Sequence, residues 1–271
     1  MKIAEIGWNF LGDLKIAEKM IIAASKSGAT HAKFQYWSVE NLKPGQWDSD
    51  GRRDIYKSAE LNDKMINELN KISQNNNLIP FYSVFSTEGL LKLKDLGLHI
   101  IKIPSHEIYN LNLIKKAFEL FEIVILSTGA CYENEILDVA KLSNDYKGKL
   151  EIMHCVSSYP CNIEKMNLPR IEFLSKLFPK ATLGISDHTS SLVLPAISVP
   201  YGVRTLEKHF TIDHDLPGRD NKFAVLPEEF KEMVNHFDDA IKACQFRGVS
   251  AQDCESDIIR NYRGRWSKGS N

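Results

Sequence analysis

Short apolar runs alternate along this chain with longer stretches in which apolar positions recur every three or four residues. The first pattern suits buried strands and the second amphipathic helices. The run Lys2–Gly7 is short enough for a buried strand. Leu14, Ala17, Met20, Ile21 and Ala24 then repeat at helical spacing up to Gly28, a residue suited to ending a helix. Residues 31–35 form the next apolar run, so strand, helix and strand make a βα unit with parallel strands. The same reading predicts a helix over 55–76, a strand over 78–84, a helix over 88–96 and a strand over 100–105. It continues with a helix over 111–121, a strand over 122–129, a helix over 133–144, a strand over 150–157 and a helix over 171–178. The runs ATLGISDH and RTLEKHFT supply strands seven and eight. Residues 227–244 close the series as a helix with Phe230, Val234, Phe237 and Ile241 on one face.

Eight strands alternating with helices, without a break in composition, predict an α/β fold: a (β/α)8 TIM barrel, as a single domain over residues 1–247. The length of 271 residues suits one such domain with a tail. The other architecture is an open doubly wound sheet, but no glycine-rich phosphate loop opens the first βα unit. The polar, basic stretch 248–271, ending YRGRWSKGSN, is expected to be either a disordered end or a strap that docks on a partner subunit. Residues 36–53, with Trp37, Pro44, Gly45, Trp47 and Gly51, form an excursion longer than an ordinary βα loop and are expected to act as a lid or binding element.

Composition narrows the partners. With 34 basic and 35 acidic residues, nothing points to a nucleic-acid-coating surface, and any phosphate recognised must meet local groups in a pocket. No apolar run approaches the roughly 20 residues of a membrane helix, and the opening MKIAEIG is not a signal peptide. Five cysteines, odd in number and without a CxxC, fit a reduced, cytoplasmic setting.

A barrel would bring the strands' C-terminal ends to one mouth. That mouth would hold Glu5, Asn9, Lys33, Gln35, Ser83, Ser86, Lys102, Ser105, Glu107, Ser127, Thr128, Ser157, Tyr159, Ser186, His188, Glu207 and His209. His188 and His209 end the last two strands, with Asp187, Glu207 and Asp220 nearby, and two imidazoles there could hold a divalent metal. The competing reading is that each histidine satisfies a local hydrogen bond. Lys33 and Lys102 interrupt apolar runs, so each needs a bound anion or an internal carboxylate such as Glu5. Hydroxyls and ammonium groups together suit a small phosphorylated anion, although any one of the serines could equally cap a helix.

The words AEIGWNFLGDL, KFQ, IKIPSHE, LSTGA, HCVSSYP, GISDHT, LEKHFT and PGRD follow in order, most of them at predicted strand ends. Over residues 3 to about 245 the chain resembles the catalytic barrel of the sialic acid synthase family. These are the phosphoenolpyruvate-dependent enzymes that make N-acetylneuraminate, legionaminate, pseudaminate and related acids. The resemblance implies condensation of phosphoenolpyruvate with an open-chain sugar aldehyde, an N-acylated hexosamine or related aldose. Phosphate leaves by C–O cleavage, and the product is a 2-keto-3-deoxy acid. It implies phosphoenolpyruvate contacts at Lys33, Ser83, Lys102, Ser105, Ser127, Ser157, Tyr159 and Ser186, and sugar contacts at Gln35, Glu107, Tyr159 and Asp220. His188 and His209 would ligate the metal, with Mn the usual ion and Mg or Co as alternatives. Glu107, Lys102, Lys33 and His209 would carry the catalysis, Glu107 as acid or base, in a homodimer.

Two departures alter those expectations. The family commonly has NHxG after the first strand, where this chain has Asn9, Phe10, Leu11 and Gly12, so a more apolar acceptor side is expected. The chain also ends near the point where family members continue into an antifreeze-like domain. The expectation is either a chain cut at a domain boundary or a natural short form acting on a different, non-acetylated aldehyde. Two further readings stay open. One is a synthase for a shorter 2-keto-3-deoxy acid from a phosphorylated aldose, for which Arg52, Arg53 and Arg219 are the available cations. The other is a non-catalytic sugar-binding or regulatory barrel.

Overall fold

Eight short strands each pair in parallel with the next in sequence, and the last closes on the first. The computed structural model describes residues 1–266 of the chain. The strands are β1 (Lys2–Gly7), β2 (His31–Tyr36), β3 (Ile79–Val84), β4 (Ile100–Ile103), β5 (Ile123–Ser127), β6 (Lys149–Cys155), β7 (Thr182–Asp187) and β8 (Val203–His209). Around them lie helices α1 (Leu14–Lys26), α2 (Arg52–Ser58), α3 (Asp63–Asn75), α4 (Thr87–Asp95), α5 (Leu111–Leu120), α6 (Glu133–Ser143), α7 (Arg170–Leu177), α8 (Leu194–Ser198) and α9 (Pro227–Ala243). A further short helix, α10 (Ser256–Asn261), follows in the tail. The architecture is the (β/α)8 barrel that the hydrophobic pattern predicts.

Strand alternation explains how one barrel holds both a core and a polar site. Ile3, Phe81, Ile100, Ile125 and Met153 form a small apolar cluster of their own, separate from the large layer between strands and helices. Two residues further along the same strands stand Glu5, Ser83, Lys102, Ser127 and Cys155, which line the mouth. Side chains two apart share a face, so each inward-facing row runs from apolar at its N-terminal end to polar at its C-terminal end.

The structure adds to or departs from the sequence pattern at several places. The single helix expected over 55–76 is two helices, α2 and α3, because Asn62 starts a new one by accepting a hydrogen bond from the Met65 amide at 3.0 Å. The five-residue α8 between β7 and β8 is too short to show periodicity. The tail carries α10, along which Ile258 is exposed, and Val249 and Trp266 are exposed on either side of it. Residues 267–271, the last five of YRGRWSKGSN, lie outside the described residues. The excursion after β2 is an ordered loop with two 3-10 turns, Val39–Asn41 and Gln46–Asp48. Arg53 ties it down by donating to the carbonyl oxygens of Val39 and Leu42 at 3.2 and 3.1 Å.

One buried group has a direct consequence for stability. Glu151 on β6 is fully buried, and neither carboxylate oxygen has a hydrogen-bond partner among the described residues. Burial lifts its pKa from the ordinary 4.5 to about 7. The unfolded chain therefore ionises first, and stability is lost as pH rises through that window. Glu151→Gln is expected to remove a drop of about 3 kcal/mol between pH 4.5 and 7, measured by urea unfolding at several pH values.

Candidate active site

A cavity of about 770 Å³ opens at the C-terminal ends of the strands. At its floor four charged side chains meet. Lys33 Nζ lies 2.8 Å from Glu5 Oε2 and 3.9 Å from Glu207 Oε2, and Lys102 Nζ donates to Glu207 Oε1 at 2.5 Å. All four are buried, so each lysine has the internal carboxylate partner that its position demanded. Burial works against the Glu207 carboxylate, yet Lys102 and Lys33 hold its pKa down at about 2. Burial likewise opposes the Lys33 ammonium, but Glu207 and Glu5 more than offset it. Burial raises Glu5 above its ordinary range, against the pull of Lys33. Gln35 donates to Glu5 Oε1 at 2.7 Å and Ser186 to Glu207 Oε1 at 3.0 Å, so these two predicted substrate contacts are also braces for the carboxylates.

The serines divide by what occupies their hydroxyls. Ser127 Oγ is buried without a partner, which leaves a donor free for a bound anion. Ser105 accepts from the Gly129 amide at 3.1 Å, and Ser83 makes one long contact of 3.5 Å to the Phe34 carbonyl. Ser86 caps α4 by accepting from the Gly89 amide at 3.2 Å, so the helix-cap reading holds for that residue. Ser157 is not among the lining residues and stands behind Gly129, next to Cys155. A Cβ at Gly129 would collide with Ser157, Cys155 and Ser105, which is why the chain needs glycine there.

Above the quartet the two imidazoles face each other, with ring centroids 5.5 Å apart. His188 Nδ1 lies 3.0 Å from the Val156 carbonyl, which can only accept, so Nδ1 carries a proton and Nε2 is the nitrogen left for a metal. His209 Nδ1 is buried with no hydrogen-bond partner, 3.8 Å from Asp220 Oδ2. Burial, then His188 and Lys33, drive the His209 pKa well below its ordinary value and keep the ring neutral. Burial opposes the His188 imidazolium, but Cys155, the Val156 carbonyl and Glu207 more than offset it and raise its pKa, so an ion bound there would displace a proton; with the orphaned nitrogen of neutral His209 the pair fits a divalent ion. Among the described residues no group of three or more His, Cys, Asp or Glu side chains surrounds the pair, so the remaining positions would fall to water and substrate. Asp187 takes no part: the strand turns it away from the cavity and pairs it with Lys208.

Tyr159 covers the pair, its ring 4.2 Å from that of His188 and 5.9 Å from that of His209. Glu107 lines the cavity half-buried, and burial raises its carboxyl above the ordinary range despite Asn110 and Lys43. Asp220 accepts from Trp8 Nε1 at 3.0 Å. Trp8 belongs to an aromatic wall that residue-type reasoning missed: Trp8, Trp37 and Tyr56 stand edge to face at 5.9–6.2 Å, and Phe85 joins Trp37 at 6.3 Å. The two tryptophans flanking the first strand and opening the excursion were the available signal. Phe10 is not part of this wall. It is buried against Phe34, with ring centroids 6.2 Å apart, in the layer between strands and helices. Neither Phe10 nor Leu11 is among the residues that line the cavity, so the apolar surface expected of them there is not theirs. Of the three arginines, Arg52 and Arg53 pair with Asp50 and Asp48, and Arg219 lines the cavity.

Residues 20–247 match the NeuB family, and the chain belongs to that family. This makes it a phosphoenolpyruvate-dependent synthase of the nonulosonic acid class. The family's enzymes are metal-dependent. A pseudaminic acid synthase of Campylobacter jejuni is 31% identical over 272 residues, spanning 96% of this chain and 78% of the relative. An N,N'-diacetyllegionaminic acid synthase of the same species is 33% identical, over 89% of this chain and 76% of the relative. The crystal structure of an N-acetylneuraminic acid synthetase from Leptospira borgpetersenii, in complex with citrate, matches at a TM-score of 0.86 and 32% identity. It covers 97% of this chain and 92% of that one. No helix among the described residues is long and apolar enough to cross a membrane.

Proposed function

We propose that the chain condenses phosphoenolpyruvate and water with an open-chain N-acylated hexosamine or related aldose: C3 of the donor bonds to the aldehyde carbon, water adds at C2, and phosphate leaves with the C2–O bond, giving a nonulosonic-type 2-keto-3-deoxy acid. The observation that carries this reading is the shared cavity: two buried ammonium groups and the unpartnered Ser127 hydroxyl lie below two facing imidazoles. Lys33 and Lys102 bind the carboxylate and phosphate of the donor and offset its charge, with Ser83, Ser105, Ser127 and Ser186 around them. Ser157, outside the cavity lining, supports the site by packing against Gly129 and Cys155. Gln35, Tyr159 and Asp220 orient the acceptor. His188 and His209 hold the divalent ion, Mn in our reading with Mg or Co able to replace it. When bound, the ion supplies a Lewis acid for the acceptor's aldehyde oxygen.

Glu107 moves the proton. Its raised pKa keeps it protonated further toward neutrality than an ordinary carboxyl, which suits a donor to the forming alkoxide. Glu107→Gln is expected to lower kcat by about 100-fold, within the range for one general acid. It should also remove the fall in kcat on the alkaline side of the pH profile. An unchanged profile would take the proton-donor role from Glu107.

The reading is tested by phosphate release with phosphoenolpyruvate, Mn and a panel of hexosamines, pentoses and tetroses, each component omitted in turn. Release is expected only with all three. The phosphorylated-aldose reading rests on Arg219, since Arg52 and Arg53 are engaged by their own loop. Preference for a sugar phosphate over its free sugar would favour it.

A further inference from the structure

Lys208 is a buried lysine that the condensation chemistry does not use. It stands on β8 between Glu207 and His209, and strand alternation turns it to the opposite side of the sheet from both. There its Nζ meets three acceptors: Asp187 Oδ2 at 2.5 Å, the Thr189 carbonyl at 2.5 Å and the Ser191 carbonyl at 3.2 Å. An ammonium has three protons, so every donor is used. Both side chains of the pair are almost wholly buried, at 2% and 0% exposure. Asp187 also accepts from the Thr189 amide at 2.8 Å, which folds the chain tightly just after His188.

The register gives this cluster its meaning. Ser186 pairs with Glu207 and Asp187 with Lys208 across the two neighbouring strands. His188 is the next residue after Asp187, and His209 the next after Lys208. The two imidazoles are thus the continuation of a strand pair locked on both faces, by Ser186 and Glu207 inside and by Asp187 and Lys208 outside. The segment carrying His188 leaves the sheet at this point, and Lys208 holds two of its carbonyls onto β8 directly beneath His209.

We infer that Lys208, through Asp187 and the 189–191 carbonyls, is a positioning residue that sets the spacing of the His188 and His209 imidazoles for a divalent ion. The inference rests on the reading of those histidines as the metal ligands. Its sign separates it from simple electrostatics. Removing a positive charge close to a cation site should tighten cation binding, whereas releasing the clamp should weaken it.

The test is Mn binding to the purified protein without substrates, followed by electron paramagnetic resonance of free Mn, for wild type and Lys208→Met. Lys208→Gln, which keeps a neutral donor and similar volume, serves if the methionine variant does not fold. Thermal unfolding without metal and phosphoenolpyruvate binding without metal are measured alongside. The expected result is Mn affinity at least tenfold weaker in the variant, with metal-free phosphoenolpyruvate affinity changed less than twofold. Mn affinity within twofold of wild type, or tighter, in a folded variant overturns the inference even if thermal stability falls. Absence of Mn binding by wild type would instead remove the ligand assignment of the two histidines, and the inference with it.

Discussion

Lys102→Met is expected to lower phosphate release by about 1,000-fold and to destabilise the protein by about 3–5 kcal/mol. The two effects have separate origins. The stability loss arises because Glu207 is held ionised by a 2.5 Å contact with Lys102, and removing one partner leaves a buried charge uncompensated. Lys33, at 3.9 Å, is too far to replace that contact. The expected loss of rate follows from the proposed contact of the Lys102 ammonium with the donor's anionic groups, since a charge-assisted bond in a water-poor site is worth more than a neutral one. The double variant Lys102→Met/Glu207→Gln distinguishes them: it should recover most of the stability and none of the turnover. Urea unfolding and a phosphate-release assay read the two quantities independently. Recovery of turnover in the double variant would mean that Lys102 serves the carboxylate alone and never meets the substrate.

His209→Asn is the second large effect, and its signature is the reverse. His209 Nδ1 is buried without a partner, so the side chain contributes little to the folded state without metal. The variant is expected to unfold within about 1 kcal/mol of wild type while losing at least 100-fold in Mn affinity and most of its turnover. Restoring activity with excess Mn, at an unchanged maximal rate, would place His209 in binding alone. Failure to restore it would place the imidazole at the reacting centre as well.

The architecture was legible because each element carries its own period. Alternating strand residues and three-to-four-residue helix repeats survive in any environment, and the eight strand runs fall close to the observed strands. The departures come where no period exists to read. Asn62 splits one apparent helix by a single side-chain hydrogen bond, and α8 is too short to repeat. Within the site, strand ends could be listed from sequence, which is how Lys33, Lys102, His188 and His209 came together. Orientation needed the same period-two argument applied one step further. In the word ISDH, Ser186 and His188 point inward, so Asp187 must point out, and its pairing with Lys208 follows. Phe10 misleads for a related reason: a residue just past a strand can turn into the helix layer as readily as into the mouth. Trp8, Trp37 and Tyr56 meet only through the path of the long loop, and chain order gives no measure of that.

The most direct test is diffraction from crystals grown with Mn and phosphoenolpyruvate, with data collected at the Mn absorption edge. An anomalous peak is expected at about 2.0–2.3 Å from one nitrogen of both His188 and His209, close to ordinary metal–imidazole distances. The donor's anionic groups should lie within hydrogen-bond reach of Lys33 and Lys102. A peak bound by other residues, or a phosphoenolpyruvate anion outside the reach of both lysines, would contradict the proposed site.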